Sequence, residues 1–201
     1  MLNTASQIQQ QVQLAAYNSF GVPAMAAYFA DVRSLGELRR ALEFARDKNL
    51  SVQILGGGSN VLFVKDYAGL ICHMNIQGIS HLPESGMVQA SCGENWHEFV
   101  SYCMNNSLYG YENLALIPGS VGAAPIQNIG AYGVELAQFL VEIEVLDRER
   151  DAVRNFSRAE CEFGYRDSVF KQQSSHRYVV LSASFELSAR NLPNLDYQAL
   201  K

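Results

Sequence analysis

Residues 117–133 read IPGSVGAAPIQNIGAYG, and no other part of the chain says as much about its fold. The stretch holds four glycines, two prolines and four alanine or serine residues, so few bulky side chains shield its backbone. Long loops with little regular structure inside compact domains usually serve a function. The composition therefore favours a surface for a flat cofactor, and the alternative is a tightly packed structural loop.

A second glycine-rich stretch, GGGSN at residues 56–60, lies between two short apolar runs, 52–55 and 61–64, that we expect to be strands. Glycines let the backbone approach a ligand closely, and successive N–H groups in such a turn can bind an anion. The spacing differs from the dinucleotide-binding GxGxxG motif, because Val61 stands where the last glycine belongs. The stretch predicts either a phosphate-binding loop or a plain turn.

A third stretch, FGYRDS at residues 163–168, combines groups that bind anions. Arg166 carries a permanent planar cation that can hold a carboxylate through two parallel hydrogen bonds. Tyr165 can stack on a ligand or donate a hydrogen bond. The alternative is an exposed pair between Arg166 and Asp167, which would contribute little to stability.

The rest of the chain predicts a mixture of helices and strands. Residues 34–37 and 157–160 both read as capping boxes, with serine first and glutamate three residues later, and each predicts the start of a helix. Apolar residues at helical spacing support the first of these helices and another over 94–106. Residues 1–18 predict only a loose or short helical lead-in. The predicted strands are 26–32, 52–55, 61–64, 69–74, 87–92, 139–146 and 177–187.

Composition argues against several classes of protein. The net charge is −5 and no basic run occurs, so we expect no binding to nucleic acid or to a membrane surface. No stretch approaches the roughly 20 apolar residues of a membrane span. Four scattered cysteines without a CxxC pair are typical of a reduced, cytoplasmic protein. His97 and Glu98 begin an HExxH pattern, but Ser101 replaces its second histidine, so we expect no metal site.

Six stretches of the chain resemble the UDP-N-acetylenolpyruvoylglucosamine reductase (MurB) family in that family's order and spacing. They are residues 18–21, 56–63, 93–96, 112–114, 117–135 and 163–170. The resemblance extends over residues 18–197, and the run PIQNIGAYG at 125–133 is highly specific. It implies an α+β protein with the FAD-binding fold of the vanillyl-alcohol-oxidase and MurB type, in which two α+β subdomains hold the flavin between them.

The resemblance also implies which residues contact a non-covalent FAD. Residues 56–60 match the loop around the flavin diphosphate, and residues 117–133 match the segment along the isoalloxazine and the diphosphate. The implied contacts are Gly56, Gly57, Gly58, Ser59, Asn60, Pro118, Gly119, Gly122, Ala123, Ala124, Ile126, Asn128, Gly130, Ala131, Tyr132 and Gly133.

In that family, hydride passes from NADPH to FAD and then to the enolpyruvyl double bond of a UDP-sugar, which yields the peptidoglycan precursor UDP-N-acetylmuramate. Arg166 matches the family arginine that stabilises charge developing toward the substrate carboxylate, a task suited to a fixed cation. Tyr165 and Tyr197 match substrate-binding positions. The resemblance thus implies an oxidoreductase, which we expect to be monomeric, with a UDP-sugar enolpyruvate as its partner.

Two departures from the family limit what the chain is expected to do by itself. Many relatives carry serines where this chain has Ala123 and Ala124, so a hydroxyl contact near the flavin gives way to backbone contacts. The family's proton-donating serine, in a Gly-Ser-Phe-Phe-Lys-Asn-Pro motif, and its C-terminal glutamate have no counterpart here. We therefore interpret the chain as a fragment that folds and binds FAD but does not turn over substrate.

The predicted organisation is a lead-in at residues 1–17, FAD-binding subdomains at 18–80 and 81–190, and the start of a substrate-binding domain at 191–201.

Two other functions stay open at this level. One is non-catalytic binding of FAD or a nucleotide. The other is a different flavin oxidase of the vanillyl-alcohol-oxidase type. Such enzymes often hold flavin covalently through histidine, and neither glycine-rich stretch contains one.

Overall fold

The computed structural model describes residues 8–82, 86–172 and 176–190. The chain divides into two compact units, the first ending at Ile76 and the second beginning at Gln77. Both units combine helices with strands, as the predicted α+β class requires. The subdomain boundaries given above stay predictions, and residues 191–201 lie outside the described part of the chain. Within the described residues, no helix is long and apolar enough to cross a membrane.

The first unit is a four-stranded sheet with one long helix. Its elements are β1 (Gln9–Gln13), β2 (Met25–Val32), α1 (Leu35–Asp47), β3 (Val52–Leu55) and β4 (Tyr67–Met74). The strand order is β1-β2-β4-β3, with β1 antiparallel to β2 and both other pairs parallel. The carboxyl ends of β2, β3 and β4 therefore meet at one edge of the sheet, where the loop 56–60 follows β3.

Helix α1 begins at the first predicted capping box. Ser34 Oγ accepts a hydrogen bond from the N–H of Glu37 at 3.2 Å, and Glu37 Oε2 accepts one from the N–H of Arg33 at 2.7 Å. The helix packs on β2 and β4 and covers one face of the sheet. Its buried residues are Leu38, Ala41 and Ala45. The other face carries a second core, which includes Leu14, Phe29, Leu55 and Ile71.

The second unit is built on a five-stranded antiparallel sheet in the order β10-β9-β11-β6-β5. Its elements are β5 (Ile79–Leu82), β6 (Met87–Ser91), α2 (Trp96–Asn105), β7 (Gly130–Ala131), β8 (Val134–Glu135), β9 (Leu140–Asp147), β10 (Ala152–Ser157) and β11 (Tyr178–Glu186). The long region between α2 and β9 contains the stretch 117–133. Three short 3₁₀ helices also lie there, Glu112–Leu114, Ala124–Gln127 and Leu136–Gln138.

Two buried aromatic residues attach this long region to the core of the second unit. The rings of Trp96 and Tyr111 lie 5.3 Å apart between centroids. Trp96 Nε1 donates to the carbonyl of Leu114 at 2.9 Å, and the Tyr111 hydroxyl donates to the carbonyl of Leu136 at 2.8 Å. Burial raises the pKa of Tyr111 well above its usual value, so the hydroxyl keeps its proton. These bonds fix both flanks of the stretch 117–133.

Two expectations about the first unit are wrong. The lead-in is not loose or helical over residues 9–13, because β1 occupies them and pairs with β2. A short 3₁₀ helix does follow at Ala15–Tyr17, and residues 1–7 lie outside the described part of the chain. Residues 61–64 form no strand. Val61 and Phe63 pack on the core, whereas Leu62 and Val64 are exposed. The alternation of burial is real, but no neighbouring strand pairs with this segment.

The second capping box is formed, but it starts a turn rather than a helix. Glu160 Oε2 accepts hydrogen bonds from the N–H and the hydroxyl of Ser157 at 2.9 and 2.7 Å. Residues 158–162 form a single turn, in which the N–H of Cys161 donates to the carbonyl of Ser157 at 3.2 Å, and no helix follows in the described part of the chain. The predicted helix is therefore wrong. Capping bonds satisfy only the first turn, and a longer helix needs an apolar face to pack.

Candidate functional site

The glycine loop 56–60 of the first unit is built on residues 17–19. Gly58 has φ +67°, and a Cβ at this position would lie 2.0 Å from the carbonyl oxygen of Tyr17, so only glycine fits. The carbonyl of Gly58 accepts a hydrogen bond from the N–H of Ser19 at 3.0 Å. One side of the loop is thus packed, whereas Gly57 and Asn60 are exposed and can face a ligand.

The stretch 117–133 of the second unit has an unusual backbone. Asn128 and Tyr132 have φ values of +43° and +49°, and Gly119 and Gly133 have +132° and +79°. Left-handed backbone at non-glycine residues is uncommon and clusters at functional sites. Of the residues of this stretch that are assigned above to FAD, the buried ones are Gly122, Ala124, Asn128 and Gly130. The exposed ones are Pro118, Tyr132 and Gly133, and the half-buried ones are Gly119, Ala123, Ile126 and Ala131.

Ser120, within this stretch, fits a polar ligand. Its hydroxyl is shielded from solvent and has no hydrogen-bond partner among the described residues. A buried polar group without a partner costs about 1–3 kcal/mol, so such groups usually have an explanation. A ligand atom that bonds with Ser120 would remove this cost. The small side chains around it also leave the backbone open to a flat molecule, so the stretch suits FAD.

The structure brings the stretch 163–168 onto the stretch 117–133. Asn128 Nδ2 donates to the carbonyl of Gly164 at 3.0 Å. The hydroxyl of Ser168, a buried residue, donates to the carbonyl of Ile126 at 2.8 Å. These bonds join residues 36 and 42 positions apart. The two stretches that the sequence singled out in this unit therefore form one surface.

Arg166 lies at the tip of the turn on this surface. Gly164 and Asp167 exchange backbone hydrogen bonds across the turn, and Arg166 has φ +54°. The Arg166 guanidinium donates to the carbonyl of Gly130, and Lys171 Nζ donates to the carbonyl of Arg166 at 2.8 Å. The cation is therefore held at a defined place beside the stretch 117–133.

Arg166 and Tyr165 are both exposed, and the guanidinium carbon lies 5.8 Å from the centroid of the Tyr165 ring. A guanidinium has five N–H donors, so the bond to Gly130 leaves others for an anion. This arrangement can bind a carboxylate at the surface beside an aromatic ring. Tyr197, the third residue assigned to substrate, lies outside the described part of the chain.

The side chain of Asn128 is engaged within the protein. Its Oδ1 accepts from the N–H of Ala137 at 3.1 Å, and its Nδ2 also contacts Glu135 Oε2 at 3.0 Å. Asn128 therefore orients neighbouring segments.

Sequence reasoning missed Ser120 and Ser168, although both stand inside quoted stretches. Nothing in the pattern distinguished them from small spacer residues. Within the described residues, no group of three or more His, Cys, Asp or Glu side chains is arranged to hold a metal ion.

Comparison with known proteins supports the family that the motifs indicate. Residues 26–155 match the family described as an FAD binding domain. The UDP-N-acetylenolpyruvoylglucosamine reductase of Pseudomonas putida is 44% identical over 194 residues, covering 95% of this chain and 57% of that protein. The same enzyme of Neisseria meningitidis serogroup B is 44% identical over 196 residues, covering 94% and 56%. The chain thus spans little more than half the length of these curated relatives.

Solved structures confirm the predicted fold. The MurB reductase of Thermus caldophilus superposes with a TM-score of 0.74 at 24% identity, covering 96% of this chain and 66% of that one. The 6-hydroxy-D-nicotine oxidase of Arthrobacter nicotinovorans gives 0.67 at 16% identity, covering 93% and 44%. The resemblance found in the motifs is also confirmed by the curated relatives. This chain belongs to the FAD-binding domain family, and its curated relatives are UDP-N-acetylenolpyruvoylglucosamine reductases.

Proposed function

We propose that this chain binds FAD non-covalently and serves the NADPH-driven reduction of UDP-N-acetylglucosamine enolpyruvate to UDP-N-acetylmuramate, a step of peptidoglycan precursor synthesis. The family match and the curated relatives support this proposal. The observation that carries it is the attachment of the Arg166 turn to residues 126–130. A cation thereby stands beside the stretch assigned to the flavin, as reduction of a carboxylate-bearing substrate requires.

The chain's own residues would hold the cofactor in two ways. Backbone N–H groups of the loop 56–60 suit the diphosphate, because glycines allow a close approach to an anion. The small residues of 117–133 suit the flat ring system, and the Ser120 hydroxyl offers a hydrogen bond that no described residue takes. When bound, FAD supplies the transfer of hydride, and the protein supplies position and polarity.

Arg166 is assigned to the substrate carboxylate. Its cation would orient the substrate and stabilise negative charge that develops toward the carboxylate during reduction. The Arg166 guanidinium donates to the carbonyl of Gly130, and Lys171 Nζ donates to the carbonyl of Arg166. These two bonds hold Arg166 in place before the substrate binds. Tyr165, which is 85% exposed, is placed to contact the same ligand.

The activity of the isolated polypeptide is a separate matter. Its sequence lacks the family motif that supplies the proton donor, and general acid catalysis typically contributes about 10²–10⁴ in rate. We therefore expect the 201-residue chain to bind FAD without measurable turnover. We also propose that it is a monomer of the cytoplasm.

The role of Arg166 is tested by substrate binding to the FAD-loaded chain, followed by the change in the visible flavin spectrum. We expect Arg166→Gln to weaken binding of the enolpyruvyl UDP-sugar roughly 10- to 100-fold, because a charge-assisted hydrogen bond is lost. The matched control is Arg150→Gln, which removes an exposed cation from the β9–β10 turn. Equal affinity in the two variants would refute the assignment of Arg166.

A further inference from the structure

An acid–base pair lies at the carboxyl edge of the parallel strands in the first unit. Asp31 of β2 and His73 of β4 are register partners, and Asp31 Oδ1 lies 2.9 Å from His73 Nδ1. Arg33 Nε and Asn75 Nδ2 also donate to Asp31, at 2.9 and 3.2 Å. Burial raises the pKa of Asp31, but these hydrogen bonds outweigh it and lower the pKa below its usual value. The carboxylate is therefore ionised and holds the imidazole in one orientation.

The imidazole in turn supports an aromatic ring. His73 meets Tyr17 edge-on, with ring centroids 5.2 Å apart. Phe29 flanks Tyr17 at 4.6 Å and is nearly parallel to His73 at 6.1 Å. Aromatic contacts at such distances contribute about 0.5–1.5 kcal/mol beyond the area that they bury. The rings of Phe29 and His73, which belong to the sheet, therefore hold the Tyr17 side chain in place.

Tyr17 packs directly against the glycine loop 56–60. Its carbonyl oxygen fills the space that a Cβ of Gly58 would need, and Ser19 donates to the carbonyl of Gly58. His73 also pairs in register with Leu55, the last residue of β3 before the loop. A continuous series of contacts therefore runs from Asp31 through His73 and Tyr17 to Gly58.

We propose that His73, oriented by Asp31, is a positioning residue that fixes the glycine loop 56–60 through Tyr17. The proposal rests on the proposed function, in which this loop binds the FAD diphosphate. His73 acts through Tyr17 and makes no contact with the cofactor. The fixed loop presents its N–H groups in the orientation that the diphosphate needs. The loop therefore loses less conformational entropy when the diphosphate binds.

The test compares four variants of the 201-residue chain. His73→Ala and Tyr17→Ala remove the support, and Tyr17→Phe keeps the ring. Tyr28→Ala is the matched control, since Tyr28 lies on the other face of β2 and packs on Phe44 at 5.3 Å. Two quantities are measured, the NMR signals of the amides in residues 56–60 and the dissociation constants of FAD and riboflavin. Thermal melts establish that each variant is folded, and His73→Gln replaces His73→Ala if that variant fails to fold.

We expect His73→Ala and Tyr17→Ala to shift the loop amide signals and to weaken FAD binding by roughly three- to tenfold. Riboflavin lacks the diphosphate, so its affinity should stay at the wild-type value in every variant. Tyr17→Phe and Tyr28→Ala should leave the loop signals and the FAD affinity unchanged. This ligand selectivity would not follow from a general loss of stability.

Two results separate failure of the inference from failure of the proposed function. If Tyr17→Ala and His73→Ala shift the NMR signals of the loop amides no more than Tyr28→Ala does, the positioning role is overturned, whatever the FAD affinity. If the wild-type chain takes up no FAD, the proposed function fails for this chain, whereas the amide signals still decide whether His73 and Tyr17 hold the loop.

Discussion

Asn128 combines a left-handed backbone with a buried, fully engaged side chain, so we expect it to be hard to replace. It is 1% exposed, has φ +43°, and bonds to Ala137, Glu135 and Gly164. Asn128→Ala should lower the free energy of unfolding by about 2–4 kcal/mol, because buried hydrogen bonds are lost and alanine tolerates positive φ poorly. Urea denaturation measures the change.

Two variants separate the causes at Asn128. Asn128→Gly tolerates the positive φ but lacks the side-chain hydrogen bonds. Its free energy of unfolding should therefore lie between those of the wild type and Asn128→Ala. Asn155→Ala is the control for an exposed amide, whose Nδ2 donates to Glu142 Oε2 at 3.1 Å. A loss at Asn128 no larger than that at Asn155 would show that the crosslink to the Arg166 turn is unimportant.

The cysteines are expected to be unreactive in the folded chain. All four are buried. Burial, assisted by Glu112 and Glu160 respectively, raises the pKa of Cys103 and of Cys161 to about 12, and the thiolate is the reactive form. A colorimetric thiol reagent should therefore detect almost no reactive thiol until denaturant is added, and then all four. Rapid labelling of Cys103 or Cys161 in the native chain would contradict this packing.

An ion pair between Asp147, the last residue of β9, and Arg177, the residue before β11, should make stability depend on pH. Arg177 donates to both carboxylate oxygens of Asp147 at 3.0 and 2.6 Å, and these bonds hold the pKa of Asp147 below its usual 3.8. A lowered pKa contributes stability that is present above pH 3.8 and is lost as the pH falls through the folded-state pKa. The pair should therefore stabilise the chain at neutral pH.

Asp147→Asn should lower the free energy of unfolding at pH 7 by about 1.5–3 kcal/mol, the range for hydrogen bonds to charged groups. The difference from wild type should shrink as the pH falls below 3.8, where the carboxylate of the unfolded chain takes up its proton, and should vanish below the lowered pKa of the folded state. Urea denaturation at several pH values measures this. A difference that is constant with pH would mean that shape, and not charge, determines the contribution of Asp147.

The strands that the sequence did not predict share one property, their place at the edge of a sheet. β1, β5, β7, β8 and β10 each pair with a single neighbour, as does β3, the one edge strand that was predicted. In β1 only Val12 is partly buried, and in β10 only Phe156 is buried. Edge strands are held by backbone hydrogen bonds along one side, so their side chains need no alternating apolar pattern. The internal strands β2, β4, β9 and β11 are buried and were predicted within a few residues.

At the scale of the whole molecule, the motifs predicted the family and the segments of the site, but not their contacts. The resemblance rests on the order of six stretches along the chain. By contrast, the bonds from Asn128 to Gly164 and from Ser168 to Ile126 join distant residues, and only the folded chain shows them. The support of the glycine loop by Tyr17 and His73 likewise depends on the register of β2, β3 and β4.

The central claim is that this chain carries a working non-covalent FAD site, and FAD retention tests it most directly. The purified chain is mixed with FAD and desalted, and its visible spectrum is recorded before and after heat denaturation and filtration. We predict flavin bands that survive desalting and pass into the filtrate after heating. A chain that melts cooperatively yet emerges colourless from desalting would contradict the claim.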